Sequence, residues 1–318
     1  VLGKRPDGYH EIRTVFHTIS LADRLDIAFT PGRRTSIEVL SDIAIPGKNL
    51  AETAARLTLD AARVAGEVRI HIVKRIPMGG GLGGGSTDAA AVVRVLAALT
   101  GKPVDQHAIC AQLGSDVPFF LHGGCALGLG RGEELYPLPS PRDGQHGLLL
   151  TPNVHVSTPE AYRALARPEG RLTTPGDFPI LKRLRSLAWA LDVRQPREVW
   201  ARDCVNDFEE VVFRQYPILQ KLRRKLGRMG AAPALMTGSG AALFGFFPDA
   251  AAVQAAVERF GAGEARPFSL LSRSLFQARW KRWLSGLSGE RHEIRSAQDS
   301  VRKRQPGARA RDLRTSVR

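Results

Sequence analysis

Residues 77–87 carry the densest chemical signal in the sequence, with six glycines in the seven positions from Gly79 to Gly85. Glycine loses more backbone entropy on folding than any other residue, so such a run needs a reason. Close approach of an anion supplies one. Without Cβ atoms several N–H groups can turn toward one ligand, and a helix beginning at Ser86 or Thr87 adds unsatisfied donors and the positive end of its dipole. A polyphosphate fits that description. A hydroxyl of Ser86 or Thr87 would cap the helix, and the same oxygen can coordinate a hard cation carried by the phosphates. Flexible linkers use glycine too, but they seldom separate an alternating strand from an alanine-rich helix by so few residues. The lysine-containing phosphate loop fails, because Ser86 follows Gly85 directly. Gly79, Gly81 and Gly84 satisfy GxGxxG, yet no acidic residue stands near Leu99–Lys102, where a dinucleotide site needs one.

The elements that must position this loop are legible around it. Val68, Ile70 and Ile72 alternate with Arg69 and His71, which predicts a strand with one buried face. The run from Asp88 to Thr100 is alanine-rich and predicts a helix stopped near Gly101 and Pro103. Upstream, residues 12–29 read as two strands and a turn at Ala22–Arg24, residues 36–40 as a strand, and residues 49–65 as a helix stopped by Gly66. Downstream come a short helix at 104–113, a loop and apolar turn at 115–121, and a strand at 123–130. Residues 137–144, rich in proline, mark a linker, after which GLLLTP and VHV read as strands. Helical patterns follow at 179–191, 206–227 and 249–260.

Other residues suited to chemistry are less distinctive alone. Asp116, between the Gly114-Ser115 turn and the apolar Val117-Pro118-Phe119-Phe120, reads as a turn cap or as a carboxylate beside an apolar patch. Tyr9 and His10 read as strand-edge residues. Gly238, Ser239 and Gly240 form a turn between two apolar strand-like runs, as a plain hairpin would. Asn206 and Asp207 read as helix caps with no chemistry assigned. Cys110, Cys125 and Cys204 lie too far apart in sequence to suggest a disulfide framework or a zinc knuckle, and read as reduced and mostly buried.

Composition narrows the class. At 318 residues with 43% hydrophobic and 24% charged residues, the chain has core material for two moderate domains. No apolar run is long enough to span a membrane. Lys4, Arg5, Pro6 and Asp7 break any basic-then-apolar leader, so the expected location is cytoplasmic. The net charge of +15 raises the question of nucleic acid. Residues 289–318 hold nine Lys or Arg against four Asp or Glu, so 9 − 4 = 5 of the excess charges sit in a tail nearly free of large apolar residues. That composition predicts disorder. The remaining excess suits an enzyme of anionic nucleotides and phosphoesters.

Taken with its neighbours, the glycine segment resembles the ATP loop of the GHMP kinases, in the form found in the diphosphocytidyl-methylerythritol kinases. RPDGYHEI (5–12), GSDVPFF (114–120), GRGEEL (130–135), PNVHVSTPEAY (152–162), NDFE (206–209) and TGSGAALFG (237–245) agree with that family in order, and the likeness covers about residues 1–285. The resemblance implies a two-domain α+β GHMP kinase fold. Its N-terminal ATP-binding domain, akin to a ribosomal-protein domain, would span residues 1–145, and an α/β C-terminal domain 146–285, before the basic tail at 286–318. It implies ATP-dependent phosphorylation of the 2-hydroxyl of 4-diphosphocytidyl-2-C-methyl-D-erythritol, in non-mevalonate isoprenoid biosynthesis, with Mg²⁺. By the same resemblance Asp116 takes the hydroxyl proton, and Pro77, Met78, Gly79, Gly80, Gly81, Leu82, Gly83, Gly84, Gly85, Ser86 and Thr87 hold ATP. Tyr9 and His10 meet the cytosine with Tyr162 completing the sandwich, and Gly238 and Ser239 lie beside the substrate phosphates. No residue is assigned as a protein ligand of the metal. Neither membrane nor nucleic acid is expected as a partner, and monomer and homodimer both stay open.

The sequence departs from the family at its ends. The family opens with a strand of the form Ala-Lys-Ile-Asn-Leu, whereas this chain begins at Val1 inside the following segment, and Lys4 lies in the wrong motif to replace that lysine. The expectation is a fragment, an alternative start or an inactive relative, with weakened activity. The tail after residue 288 has no counterpart in the family core. Alternatives are another small-molecule GHMP kinase acting on homoserine or mevalonate, a catalytically impaired ATP binder, and a nucleic-acid-binding module using the tail.

Overall fold

The computed structural model describes residues 1–45, 47–140, 145–166, 183–184, 186–188, 200–261, 263–286 and 313–317. The chain opens with three short strands, β1 (Gly3–Lys4), β2 (His10–Glu11) and β3 (Thr14–His17). Then come β4 (Arg24–Pro31), β5 (Ser36–Ser41), α1 (Leu50–Ala62) and β6 (Gly66–Val73). The helices α2 (Gly84–Thr100), α3 (Gln106–Leu113) and α4 (Phe119–His122) follow. Next are β7 (Cys125–Leu129), β8 (Glu134–Leu138), β9 (His146–Leu150) and α5 (Thr158–Ala164). The later part contains α6 (Phe208–Gln215), α7 (Pro217–Arg228), β10 (Ala234–Met236), β11 (Leu243–Phe247), α8 (Ala250–Phe260) and β12 (Ala265–Ser269). A helix at residues 273–286, α9, and the strand β13 (Leu313–Val317) complete the described chain.

These elements form two compact units interleaved in sequence. The first comprises Val1–Leu21, Ile76–Leu82 and Gly123–Arg273, and the second Ala22–Arg75, Gly83–His122 and Ser274–Arg318. A sequence division at 145/146 follows the chain; the compact units follow strand pairing, which brings distant segments into one sheet. The glycine run is shared, since its residues through Leu82 belong to the first unit and those from Gly83 to the second.

The second unit is built on the sheet β13-β4-β6-β5. In β4 and β6 alternate residues are buried, as a sheet with one covered face requires. The register sets Leu25 opposite Ile72, Ile27 opposite Ile70 and Phe29 opposite Val68, so all six side chains share the covered face. They pack with Ala51, Ala54, Ala55 and Leu59 of α1 and with Val92, Val93 and Leu96 of α2. Burying side chains of this size contributes about 1.5–3 kcal/mol each. The alanines of α2 let it sink into the core with little side-chain bulk on any face, which fixes the helix that leads out of the glycine loop.

The first unit has a sheet β3-β7-β8 and a sheet β10-β11-β9-β12, all antiparallel. Leu148, Leu149 and Leu150 are all buried, so β9 is a strand covered on both sides.

Several expectations are corrected. VHV (154–156) is irregular, because Val154 N bonds the nearby Pro152 carbonyl instead of a neighbouring strand. The helical pattern at 206–227 is two helices, broken where Pro217 lacks an N–H and keeps Tyr216 out of the helical region, at φ −127° and ψ 77°. The helix after the glycine loop starts at Gly84, capped by Gly83, so Ser86 and Thr87 lie within its first turn and are not caps. The apolar turn at 115–121 runs into the short helix α4. Of the basic tail, residues 287–312 lie outside the described residues, while Leu313–Val317 is a strand paired with β4 and not disordered chain. The helical pattern at 179–191 also lies largely outside the described residues.

Candidate active site

The glycine loop has a specific backbone form. Gly79, Gly81 and Gly83 have φ of 70°, 68° and 68°, while Gly80 and Leu82 between them do not have positive φ. Alternation of this kind turns successive N–H groups to one side and makes a concave anion cradle. Among the described residues, no acceptor is found for the amide of any residue from Gly79 to Ser86; the first bonded amide is that of Thr87, which donates to Gly83 O at 2.8 Å. Such a run of unsatisfied donors is what an anion fills.

In the first unit this loop is braced by the later glycine turn. Thr237 Oγ1 donates to Gly80 O. A Cβ on Gly81 would lie 2.8 Å from Thr237 O, so only glycine allows the two backbones to approach this closely. His155 stands by the loop as well, its Nδ1 3.6 Å from where a Cβ of Gly79 would be. Met78 is exposed and Pro77 half-buried, and both lie at the approach to the loop.

In the second unit Asp116 lies beside the start of α2. Its Oδ2 is 3.6 Å from the position of a Gly83 Cβ, and Phe120 presses the same point at 2.7 Å. The Asp116 carboxylate is half-buried and makes no hydrogen bond or ion pair with a described residue. Ser86 is buried and its hydroxyl likewise has no described partner, whereas the Thr87 hydroxyl donates to Gly83 O at 2.9 Å. Ser86 is therefore the better placed hydroxyl for a ligand.

The second unit also holds a charge cluster that sequence reading missed. Lys74 Nζ reaches Asp23 Oδ2 at 2.5 Å and Asp88 Oδ2 at 2.9 Å, with all three side chains nearly inaccessible. It ties the start of β4 and the residue after β6 to the first turns of α2. Burial, with the Asp23 charge added, pushes the Asp88 carboxyl up to about 7 despite Lys74. Burial lowers the Lys74 value, but its bonds to Asp23 and Asp88 more than reverse this and leave it raised. The available signal was an acidic residue, Asp88, early in an alanine-rich helix whose other charged residue is Arg94.

The aromatic residues gather in the first unit. His10 stacks on Tyr162, with centroids 4.7 Å apart and planes at 29°, and Tyr162 meets Phe208 edge-on at 4.8 Å. Centroids this close are those of rings in direct contact, so His10 and Tyr162 here touch each other and leave no gap. Burial lowers the His10 value, and nearby Lys4 adds to this, which favours the neutral ring; burial raises that of Tyr162. Tyr9 is 55% exposed, with the Arg131 guanidinium 4.7 Å from its ring centre. Arg131 is in turn held by Glu133, through its Nε at 3.2 Å and its amide at 2.7 Å. Ser239 is buried and shares a hydrogen bond of 2.7 Å with Thr158, and Gly238 is exposed beside it. Thr158, Thr237 and Arg131 make contacts here that sequence reading did not assign.

Residues 49–124 match the GHMP kinase N-terminal domain and residues 176–263 the GHMP kinase C-terminal domain. With the sheet-and-helix units and the glycine cradle, they define the chain as a GHMP kinase, an ATP-dependent phosphotransferase. A homoserine kinase from Cytophaga hutchinsonii shares the fold, with a TM-score of 0.62 at 17% identity over 82% of this chain and 95% of that one. A 4-diphosphocytidyl-2-C-methyl-D-erythritol kinase from Solibacter usitatus is 49% identical over 290 residues, which span 90% of this chain and 89% of the relative. A solved 4-(cytidine 5'-diphospho)-2C-methyl-D-erythritol kinase matches with a TM-score of 0.68 at 36% identity, over 85% of this chain and 94% of that one. The chain belongs to the 4-diphosphocytidyl-2-C-methyl-D-erythritol kinase family. Among the described residues no helix is long and apolar enough to cross a membrane.

Proposed function

We propose that the chain transfers the γ-phosphoryl group of ATP to the 2-hydroxyl of 4-diphosphocytidyl-2-C-methyl-D-erythritol, a step of non-mevalonate isoprenoid biosynthesis. The observation that carries this reading is the run of amides from Gly79 to Ser86 that have no acceptor among the described residues. Polyphosphate oxygens accept those hydrogen bonds and neutralise the dipole end of α2. As the new P–O bond forms and the bond to ADP breaks, the attacking hydroxyl must lose its proton. Asp116 is the acceptor, a carboxylate without a partner among the described residues and beside the same end of α2.

Phosphoryl transfer of this kind implies Mg²⁺. Such an ion keeps several of its waters and is bound through one or two protein oxygens together with the substrate phosphates. The Ser86 hydroxyl, without a partner among the described residues, would hold it together with the phosphates. When bound, it spreads the charge of the β and γ oxygens. The base is recognised in the first unit: Tyr9 offers an open face backed by Arg131, and cytosine entering between His10 and Tyr162 must part their stacked rings. The turn at Gly238 and Ser239 meets the substrate phosphates.

The test is ADP release by the purified chain with ATP, Mg²⁺ and the cytidyl substrate, with the substrate-free rate subtracted. Saturable, substrate-dependent release is the expected result. Saturation by homoserine or mevalonate, with none by the cytidyl compound, would reject the assignment.

A further inference from the structure

The residue that fixes the later glycine turn is one whose sequence suggested only a helix cap. Asn206 precedes α6, and its Oδ1 accepts from Phe208 N at 2.9 Å, as an ordinary cap does. Its Nδ2 does something a cap does not. Both of its hydrogens cross to another part of the first unit, donating to Met236 O and Gly238 O at 2.8 Å each. Glu209, within the first turn of α6, grips the same segment, its Oε1 accepting from Met236 N at 2.8 Å and its other oxygen ion-paired with Arg223 Nε at 3.0 Å. Met236 is thus held by its N–H and its carbonyl together, from one helix start.

The held segment lies between the two ligand-facing parts of the first unit. On one side Thr237 bonds Gly80 and abuts Gly81 in the glycine loop. On the other side Ser239 bonds Thr158 of α5, four residues before Tyr162, and Tyr162 meets Phe208, two residues beyond Asn206. The contacts close into a circuit running from the glycine loop to the aromatic residues and back through Asn206.

We infer that Asn206 is a positioning residue for the kinase reaction, setting the Met236–Gly238 backbone so that Thr237 braces the Gly80–Gly81 amides and Ser239 stays aligned with Thr158. The inference rests on the proposed function for the identity of the ligands, but not for the geometry. The carboxamide is specifically required, because no other side chain of its size donates twice and accepts once. Asn206→Asp keeps the shape and the acceptor for Phe208 N, and points a carboxylate oxygen at two carbonyl oxygens.

The experiment compares the purified wild-type chain with N206D by steady-state kinetics, by titration with ADP, and by amide exchange of the 236–240 and 79–82 segments. The expected result is a KM for ATP and a Kd for ADP raised by about tenfold, the size of one lost net hydrogen bond of about 1.4 kcal/mol. Exchange should speed up in both segments and stay unchanged in α1. A merely structural role would lower kcat through loss of folded enzyme and leave KM alone. Thr237→Val removes only the hydroxyl that bonds Gly80 and carries the same test if N206D does not fold, with the same direction expected for both constants. A folded N206D, or failing that a folded T237V, with wild-type KM, Kd and exchange overturns the inference. If the wild-type chain is saturated by homoserine or mevalonate and not by the cytidyl substrate, the proposed function fails, while the ADP titration and the exchange still decide the role of Asn206.

Discussion

Replacing Gly81 by alanine isolates the contact between the glycine loop and the Thr237 turn, provided Gly79→Ala is made beside it. Both glycines have left-handed φ, 68° and 70°, so either alanine costs about 1–2 kcal/mol of backbone strain. They differ in surroundings. A Cβ at Gly79 meets only His155 Nδ1 at 3.6 Å, an ordinary contact. A Cβ at Gly81 meets Thr237 O at 2.8 Å, Thr237 Oγ1 at 3.1 Å and Gly240 O at 3.4 Å. The closest of these is backbone, which cannot rotate away, so overpacking adds about 1–3 kcal/mol. With melting shifts of about 2–4 °C per kcal/mol, G81A should melt several degrees below G79A. The turn must also move off the loop, so G81A should lose most ADP-release activity, with a raised KM for ATP, while G79A keeps more. Thermal denaturation and the ADP-release assay check both halves. Equal melting points and equal KM values would show that the loop and the turn are not in contact as described.

Asp116→Asn should lower kcat by about 10²–10⁴-fold, the usual contribution of a positioned base, with ADP affinity unchanged by titration; near-wild-type turnover would remove Asp116 from the reaction. Asp88 makes a pH-dependent prediction. Its folded value of about 7 lies above the ordinary 3.8, so between these the folded state holds a proton that the unfolded state has lost, and stability falls as pH rises through that window. Melting temperatures of wild type and Asp88→Asn measured from pH 4 to 8 should therefore shift progressively in favour of the variant, and a constant difference would contradict the assignment. Tyr9→Ala should raise the KM for the cytidyl substrate by about tenfold or more, since stacking on a base is worth about 1–3 kcal/mol, and should leave the KM for ATP near wild type. An equal rise in both would point to a general loss of folding.

The sequence by itself determined the local parts of this protein. The strand-loop-helix unit around residues 66–100 was legible because alternation, glycine content and alanine content act within a few residues of where they are read. The same holds for α1, whose cap Asn49 accepts from Ala51 N, and for α8, capped by Asp249. The order of short motifs, through the family resemblance, drew attention to Asp116 and to the glycine turn at 238–240, and the structure sets the one beside Gly83 and the other against Gly81. Tertiary structure alone decided what those parts touch. Asn206 looked like a cap, and it is one, but its two other bonds go to residues 30 and 32 positions away. Lys74 joins Asp23, 51 residues before it, to Asp88, and no pattern in the intervening sequence names that partner. Likewise His10 meets Tyr162 and not an open gap. A backbone conformation is set by the residues that adopt it, and so can be read locally. A side-chain hydrogen bond or ring contact is set by which sheets close on one another, which the chain determines only when it is folded.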